Sequence, residues 1–551
     1  MKLFLASVFT LLLLSGFLAT ILFAFMYVAG YIDAILLPIL VVLLNFILWL
    51  VSPTISDFIY RYFFKARWIS LSDLRSKSKS GADLIEATCT KYGFNIPKVG
   101  IVPDKNPNAF TYGSGQWNAR IIVSEGIFHY LDDKNIAAVY GHELGHIKNR
   151  DFIVMTAAST IIQLLYVMFI MGVRSGRGGG SKKGGGYLAL IGIASYIFYW
   201  IGQYIVLYLS RVREYYADQF SAEETKDPNS LSVALIRIAY GILTNPDDVK
   251  LVNTTKNLGI MNFSAAKATG LTYYMSQKLH EPSMVDKSFL FDLHNPWAFV
   301  YELGSTHPLT GKRIRRLSML SRKFGKKPAF DFDVIERAYQ IDKGKLRANF
   351  LKDLLALSIP LIVALGFPLF YLYGVLAGMV SFQLFQFLAL WLMLIGLGMI
   401  IRTVYRYPGK KPERLTVLQL MGDVYASPVR GRRVLLDGKF IGRGIPGFIF
   451  SEDLMMQDKT GLMYLNYQSW IPLFGNIFFA LSRVKSLIGR PAQANGWFLR
   501  GISSRTDLSS LHTEGRTISS YIKAISIFWG LFFICAGLLI GMLFGFTFTL
   551  I

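Results

Sequence analysis

Seven stretches of this chain are apolar enough, over roughly the 20 residues a helix needs, to fill the hydrocarbon core of a bilayer. They begin near Leu3, Ile35, Phe152, Tyr187, Leu354, Gln383 and Ile525. In hydrocarbon a backbone must satisfy its own hydrogen bonds, so such stretches fold as helices. Composition agrees. Hydrophobic residues make up 53% and charged residues 17% of 551, against ~25% charged in an ordinary soluble domain. The first run, Leu3–Ala29, is too long for a signal-peptide core and is followed at once by Ile35–Val51. It reads as a retained anchor, paired with the second through a short link at Tyr31–Asp33.

Lys and Arg outnumber Asp and Glu by 58 to 35, for a net charge of +23. In a chain with several spans this excess belongs to loops on the cytoplasmic side, facing anionic lipid. The basic segments lack the aromatic–basic pattern of a nucleic-acid binder. Arg61, Lys65 and Arg67 follow the second span and place that end in the cytoplasm. The Gly-rich linker Arg174–Gly186 opposes simple alternation, because it carries four positive charges where alternation puts the outside. The pair of runs around it either crosses the bilayer or re-enters it. The two cysteines, Cys89 and Cys535, form no disulfide, since Cys535 lies inside an apolar run.

The expected organisation is a transmembrane hairpin (1–51), a soluble half-domain (52–151) and a second transmembrane or re-entrant hairpin (152–209). A second polar half-domain (210–349) and a third hairpin (350–401) follow. A β-rich domain (402–523) and a last span (524–551) complete the chain. Within 402–523, Leu415–Leu420, Arg433–Leu436, Gly447–Phe450 and Leu462–Tyr467 read as short strands punctuated by Gly438, Gly442, Gly444 and Gly447. Short strands with glycine turns suggest a small barrel or sandwich. DGKFIGRGIPG followed by TGLMYLNY resembles the OB-like barrel of some membrane proteins. The fold class expected is therefore mainly α, with a small β-barrel near the C-terminal end.

Chemistry concentrates at Gly141-His142-Glu143-Leu144-Gly145-His146. On a helix, residues four apart share a face, so His142 and His146 are able to bind one zinc ion. Glu143 projects beside the metal, where it serves as general base. Only seven histidines occur in the chain, and two fall at this spacing. Zinc needs a third ligand and an open position for water. Glu214 in Ser210-Arg-Val-Arg-Glu214-Tyr-Tyr-Ala-Asp218 supplies the ligand. Asp218, one turn on, is placed to orient a ligand histidine.

AVYGHELGHIKNRD, SRVREYYAD, STHPLTGKRIRRL and NPNAFTYG, over roughly Asn95 to Leu317, resemble the M48 peptidases, specifically the HtpX-like membrane proteases. The resemblance implies a gluzincin-type metalloprotease domain with one Zn2+ per chain on His142, His146 and Glu214, and Glu143 as catalyst. It also implies an edge strand above the site that captures a peptide, formed from Asn108–Gly113 or Arg120–Val123, with Asn108, Ala109 and Phe110 as substrate-binding positions. His307 is placed near the site, either to hydrogen-bond the oxyanion or to reach the metal in a latent form. Arg313 pairs with Asp218 or another acid. Pro308-Leu309 departs from the two prolines many members carry there. The region 350–551 lies outside the family's usual core.

The expectation is a multi-pass cell-membrane zinc endopeptidase, its protease domain cytoplasmic, acting on protein or peptide substrates in membrane-protein quality control. A competing reading is a non-catalytic scaffold with a structural zinc and a partner-binding β-domain; Glu143 speaks against it, because a structural site needs no such acid. A transporter would place paired ionisable residues inside the spans, and these runs are nearly free of charge. Oligomeric state stays open.

Overall fold

The computed structural model describes residues 2–29, 31–177, 185–244, 283–379, 383–443, 453–501 and 504–544. The expected strand Gly447–Phe450, with Gly444, and much of the glycine linker lie outside these residues. The chain forms two compact units, one of Met1–Gly270 with Val300–Phe332 and one of Leu271–Phe299 with Asp333–Ile551. Among the described residues six helices are long and apolar enough to cross a membrane: Pro38–Tyr62, Asp151–Arg174, Gly186–Thr225, Lys343–Leu376, Leu384–Arg406 and Ile522–Phe544.

In the first unit, α1 (Lys2–Ala29) and α2 (Tyr31–Tyr62) lead in. The expected link at Tyr31–Asp33 is instead the first turn of α2. The first expected span falls on α1, whose 28 residues include the apolar stretch Phe9–Ala24. Strand β1 (Arg67–Ile69), the helices α3 (Leu71–Lys77) and α4 (Lys79–Tyr92), and strands β2 (Lys98–Val102), β3 (Ala109–Tyr112) and β4 (Arg120–Ser124) follow. The sheet order is β1-β2-β4-β3. The interior strand β4 is buried along its whole length and runs parallel to β2 and antiparallel to β3. Of the two segments expected as the open edge, β3 is the edge and Arg120–Val123 is internal. Tyr112 and Arg120 both bond Asp57 on α2, and Ser114 Oγ donates to the Trp49 carbonyl at 2.7 Å. The edge strand is thereby fastened to a membrane helix.

After α5 (Glu125–Tyr130) comes α6 (Asp133–Lys148), which starts at Asp132, whose side chain accepts from Asn135 N as an N-cap. Arg150, with φ 56°, turns the chain out of α6 and into α7 (Asp151–Arg177). Helix α8 (Gly185–Thr225) runs unbroken through the expected fourth span into the SRVREYYAD segment. Helix α9 (Pro228–Thr244) and the Thr310–Lys323 helix complete the unit.

Small residues set the spacing between α6 and α8. A Cβ on Gly145 would lie 2.9 Å from Ala217 Cα, and one on Gly141 would lie 3.2 Å from Ser221 Cα. Ser221 Oγ also donates to the Ala138 carbonyl at 2.6 Å. The pairs Gly141/Gly145 and Ala217/Ser221 are each four apart, so two one-turn steps face each other and let the backbones touch.

In the second unit the membrane helices Leu384–Arg406 and Ile522–Phe544 pack through glycines. A Cβ on Gly396 would meet the Gly530 carbonyl at 2.4 Å, the close approach that small residues permit between helices in lipid. The β region holds β5 (Glu413–Arg414), β6 (Arg432–Arg443), β7 (Leu454–Gln457), β8 (Leu462–Asn466), β9 (Pro491–Leu499), β10 (Arg505–Thr513) and β11 (Arg516–Ser519). Five strands close on themselves: β6 pairs with β7, β7 with β8, β8 with β10, β10 with β9 and β9 with β6. Only the β8–β10 pairing within that ring is parallel. The 11-residue helix Pro472–Ser482 lies between β8 and β9 in sequence. Arg433–Leu436 and Leu462–Tyr467 fall on β6 and β8, as expected. Leu415–Leu420 does not form a strand. Thr416 and Gln419 form a capping box that starts a short helix, Val417–Met421, so local capping overrides the β-type pattern.

The α6–α8 contact yields a direct expectation. Gly145→Val forces the backbones apart and destabilises the protein by about 1–3 kcal/mol, the range for overpacking. Gly16→Ala, whose Cβ meets nothing within 4 Å inside helix α1, costs no stability and adds up to about 1 kcal/mol through helix propensity. Thermal unfolding of the two variants in detergent measures the difference.

Candidate active site

Helix α6 presents His142 and His146 on one face, and α8 brings Glu214 opposite them. The two Nε2 atoms lie 3.2 Å apart. His142 Nε2 is 3.6 Å from Glu214 Oε2, and His146 Nε2 is 3.5 Å from Glu214 Oε1. Donors held about 2.0–2.1 Å from zinc at tetrahedral angles stand roughly 3.3–3.4 Å apart. The spacing therefore fits one zinc ion, and among the described residues these three form a group able to hold a metal.

Each histidine is oriented from behind. His142 Nδ1 faces Asp218 Oδ1 at 3.0 Å, and His146 Nδ1 faces Asp151 Oδ2 at 2.6 Å. A carboxylate on the far nitrogen fixes the tautomer and leaves Nε2 for a metal. The carboxylates are held in turn. Arg313 pairs with Asp218 through Nε at 2.9 Å and Nη2 at 2.6 Å, and its Nη1 reaches Glu214 Oε2 at 3.3 Å. Arg213 meets Asp151 at 2.5 Å, the Asn149 carbonyl at 2.9 Å and Ser7 Oγ of α1 at 2.7 Å.

The charges give a second test of fit. Glu143, Asp151, Glu214 and Asp218 are buried carboxylates, and Arg213 and Arg313 are buried guanidiniums. Four negative charges against two positive leave two negative charges around neutral imidazoles. A buried imbalance of that size is costly; a divalent cation cancels it, and without one the two rings offset it by taking up protons. The histidines register the same field. Burial of the His142 ring opposes its protonation, yet Asp218 and Glu214 outweigh burial and push it up to about 9. Burial likewise opposes charge on His146, and Asp151 raises its pKa above the ordinary range.

Glu143 lies on the same helix and is 2% exposed. Thr111 Oγ1 donates a hydrogen bond to Glu143 Oε2. This joins the acid to edge strand β3, whose outer side has no neighbouring strand in the sheet order. His307 is buried, with Nδ1 3.0 Å from Glu214 Oε2, so it stands beside the metal-ligand cluster. The expected substrate positions are packed differently. Asn108 N donates to Ser124 Oγ at 2.8 Å, Ala109 is fully buried, and Phe110 sits in a core cluster with Tyr60, Ala66, Val102 and Ile122. All three are buried, and Thr111 points to the site.

Three participants go beyond the sequence reading. Asp151 follows His146 by five residues and was visible in the GHELGHIKNRD stretch, but its role depends on the turn at Arg150. Arg213 directly precedes Glu214, but its reach to Asp151 depends on how α7 and α8 pack. Thr111 carries no sequence signal, since only the strand's orientation aims it at Glu143.

Residues 76–321 match the family model for peptidase family M48. The protease HtpX homolog of Aeropyrum pernix is 31% identical over 321 residues, covering 56% of this chain and 93% of that relative. The homolog of Methanothermobacter thermautotrophicus is 34% identical over 227 residues, covering 40% of this chain and 83% of its own length. Among solved structures, the crystal structure of S. mikatae Ste24p is similar over 57% of this chain and 66% of its own, at 18% identity and a TM-score of 0.32, too low a likeness for detailed comparison. The family match leaves the C-terminal barrel outside it, as the sequence reading anticipated. The chain belongs to peptidase family M48 and is an HtpX-like multi-pass membrane protease.

Proposed function

We propose that this protein is a zinc-dependent endopeptidase that hydrolyses peptide bonds of membrane or misfolded proteins at the bilayer surface. The observation that carries the reading is the convergence of His142, His146 and Glu214 beside Glu143 and an open strand edge. His142, His146 and Glu214 hold the metal, which when bound polarises a scissile carbonyl and acidifies a water molecule. Glu143 takes the proton from that water and returns it to the departing amine. Thr111 holds one oxygen of Glu143 and leaves the other for this work. The β3 edge offers backbone N–H and C=O groups to an extended peptide, so capture depends little on substrate side chains. His307 stands where it is able to donate to a developing oxyanion, and Arg313 keeps Asp218 and Glu214 in position.

The fastening of β3 to α2 through Asp57 supports substrates that emerge from the membrane, and with them a role in membrane-protein quality control. The basic residues after the second span support a cytoplasmic protease domain. The metal and acid arrangement supports the gluzincin assignment. The ring of five strands, with its one parallel pair and a helix between the third and fourth strands, supports the OB-like reading of the barrel. Glu143 and its hydrogen-bonded partner favour this reading over a non-catalytic scaffold, in which the acid would have no task.

Four outcomes follow. Glu143→Gln retains zinc and loses about 10²–10⁴-fold in kcat, the usual worth of a general acid–base group, measured on an unfolded protein substrate with the full chain in detergent. Asp151→Asn weakens zinc affinity about 10–100-fold through loss of the histidine's orienting partner, read by chelator competition. Thr111→Val lowers kcat by roughly tenfold, since a hydrogen bond to a charged group is worth about 1.5–3 kcal/mol, and leaves zinc content unchanged. Stripping the metal abolishes cleavage, and added zinc restores it.

A further inference from the structure

The Pro472–Ser482 helix of the β-barrel carries an apolar face that stands exposed among the described residues. Its inner face is packed: Phe479 and Ala480 are buried, and the Phe479 ring stacks on Tyr467 at 3.9 Å. Its outer face is not. Leu473 is 66%, Phe474 75% and Phe478 66% exposed, and Trp470 and Ile471 just before it are exposed as well. Phe474, Phe478 and Leu481 fall at i, i+4 and i+7, a single helical stripe. A contiguous exposed apolar patch of this kind marks a surface that something covers.

The occupant is indicated by where the helix begins. Trp470 meets Tyr521 edge-to-face at 5.5 Å. Tyr521 N donates to the Gln468 carbonyl at 2.8 Å, and Gln468 N donates to Ser520 Oγ at 3.1 Å. Tyr521 stands immediately before the membrane helix Ile522–Phe544. Lys523 donates to the Tyr407 carbonyl at 2.8 Å, just past the end of the membrane helix Leu384–Arg406. Two span ends thus meet at one level, and the exposed helix starts there. Trp and Tyr at such a level form the aromatic belt of a bilayer interface. With 11 residues the helix falls short of the roughly 17 a span requires, so it lies along the surface. Arg483 and Lys485, both exposed, follow its end and suit anionic headgroups.

We propose that the Pro472–Ser482 helix is an interfacial membrane anchor, with Leu473, Phe474 and Phe478 sunk into the acyl boundary, which presses one side of the barrel against the bilayer. This contact is additional to the spans.

The test uses the full chain with Cys89→Ala and Cys535→Ala in vesicles of phosphatidylcholine and phosphatidylglycerol. Single cysteines placed at Phe474, Phe478, Phe532 and His512 carry a nitroxide spin label. Phe532 is an exposed position of the last span and gives the lipid reference; His512 is exposed on the barrel and gives the aqueous one. The expected result is that labels at Phe474 and Phe478 behave as the one at Phe532, with collisions with oxygen favoured several-fold over those with a water-soluble nickel chelate relative to His512. Labels at Phe474 and Phe478 that collide with nickel as freely as the one at His512 would overturn the proposal. So would labels shielded from both reagents, a pattern of burial in protein. Dipolar coupling between chains in that case would identify a second copy as the occupant.

Discussion

The active site exists because two helices touch. Gly141 and Gly145 remove every side-chain atom from one face of α6, and Ala217 and Ser221 do nearly the same on α8. With their backbones in contact, imidazoles from one helix and a carboxylate from the other arrive within 3.2–3.6 Å of one another. The same α8 continues from a membrane-crossing stretch, and α7 follows α6 directly into another. The metal-ligand cluster is therefore fixed to the membrane by unbroken helix through α8 and by the short turn at Asn149–Arg150 through α6.

Burying this many charges is expensive, and the arrangement offsets the cost by pairing them in layers. Arg313 neutralises Asp218, and Arg213 neutralises Asp151, while each acid orients one histidine. Removing either arginine would leave a carboxylate uncompensated in a dry interior, a defect commonly worth several kcal/mol. The net deficit of two positive charges is met by a divalent cation when the rings are neutral, and by protons on the rings when it is absent. Edge strand β3 completes the arrangement, since Thr111 joins it to Glu143 through one hydrogen bond.

Much of this was legible in the sequence. Apolar runs marked the membrane helices, because the bilayer imposes a length and a composition that few soluble segments mimic. The spacing of His142 and His146 and the juxtamembrane Glu214 and Asp218 pointed to residues that the fold brings together, a group able to hold a metal, because coordination chemistry restricts residue type and position. The Asp218–Arg313 pair was anticipated as well. Less legible was anything that depends on how a backbone turns. Asp151 reaches His146 only through the left-handed Arg150, and Thr111 faces Glu143 only because β3 is the edge and its side chains alternate. Leu415–Leu420 misled because a capping box, a local hydrogen-bond exchange, outweighs a short apolar pattern. Strands β9, β10 and β11 went unread because their mixed polar sequence becomes regular only when the ring closes.

The most direct test of the central claim is zinc K-edge X-ray absorption on the purified full-length protein. The account predicts about one zinc per chain, in a shell of light N and O atoms at roughly 2.0–2.1 Å with the multiple scattering of two imidazoles, and loss of one imidazole contribution in His146→Ala. A sulfur shell, a zinc without imidazole, or no zinc after reconstitution would contradict it.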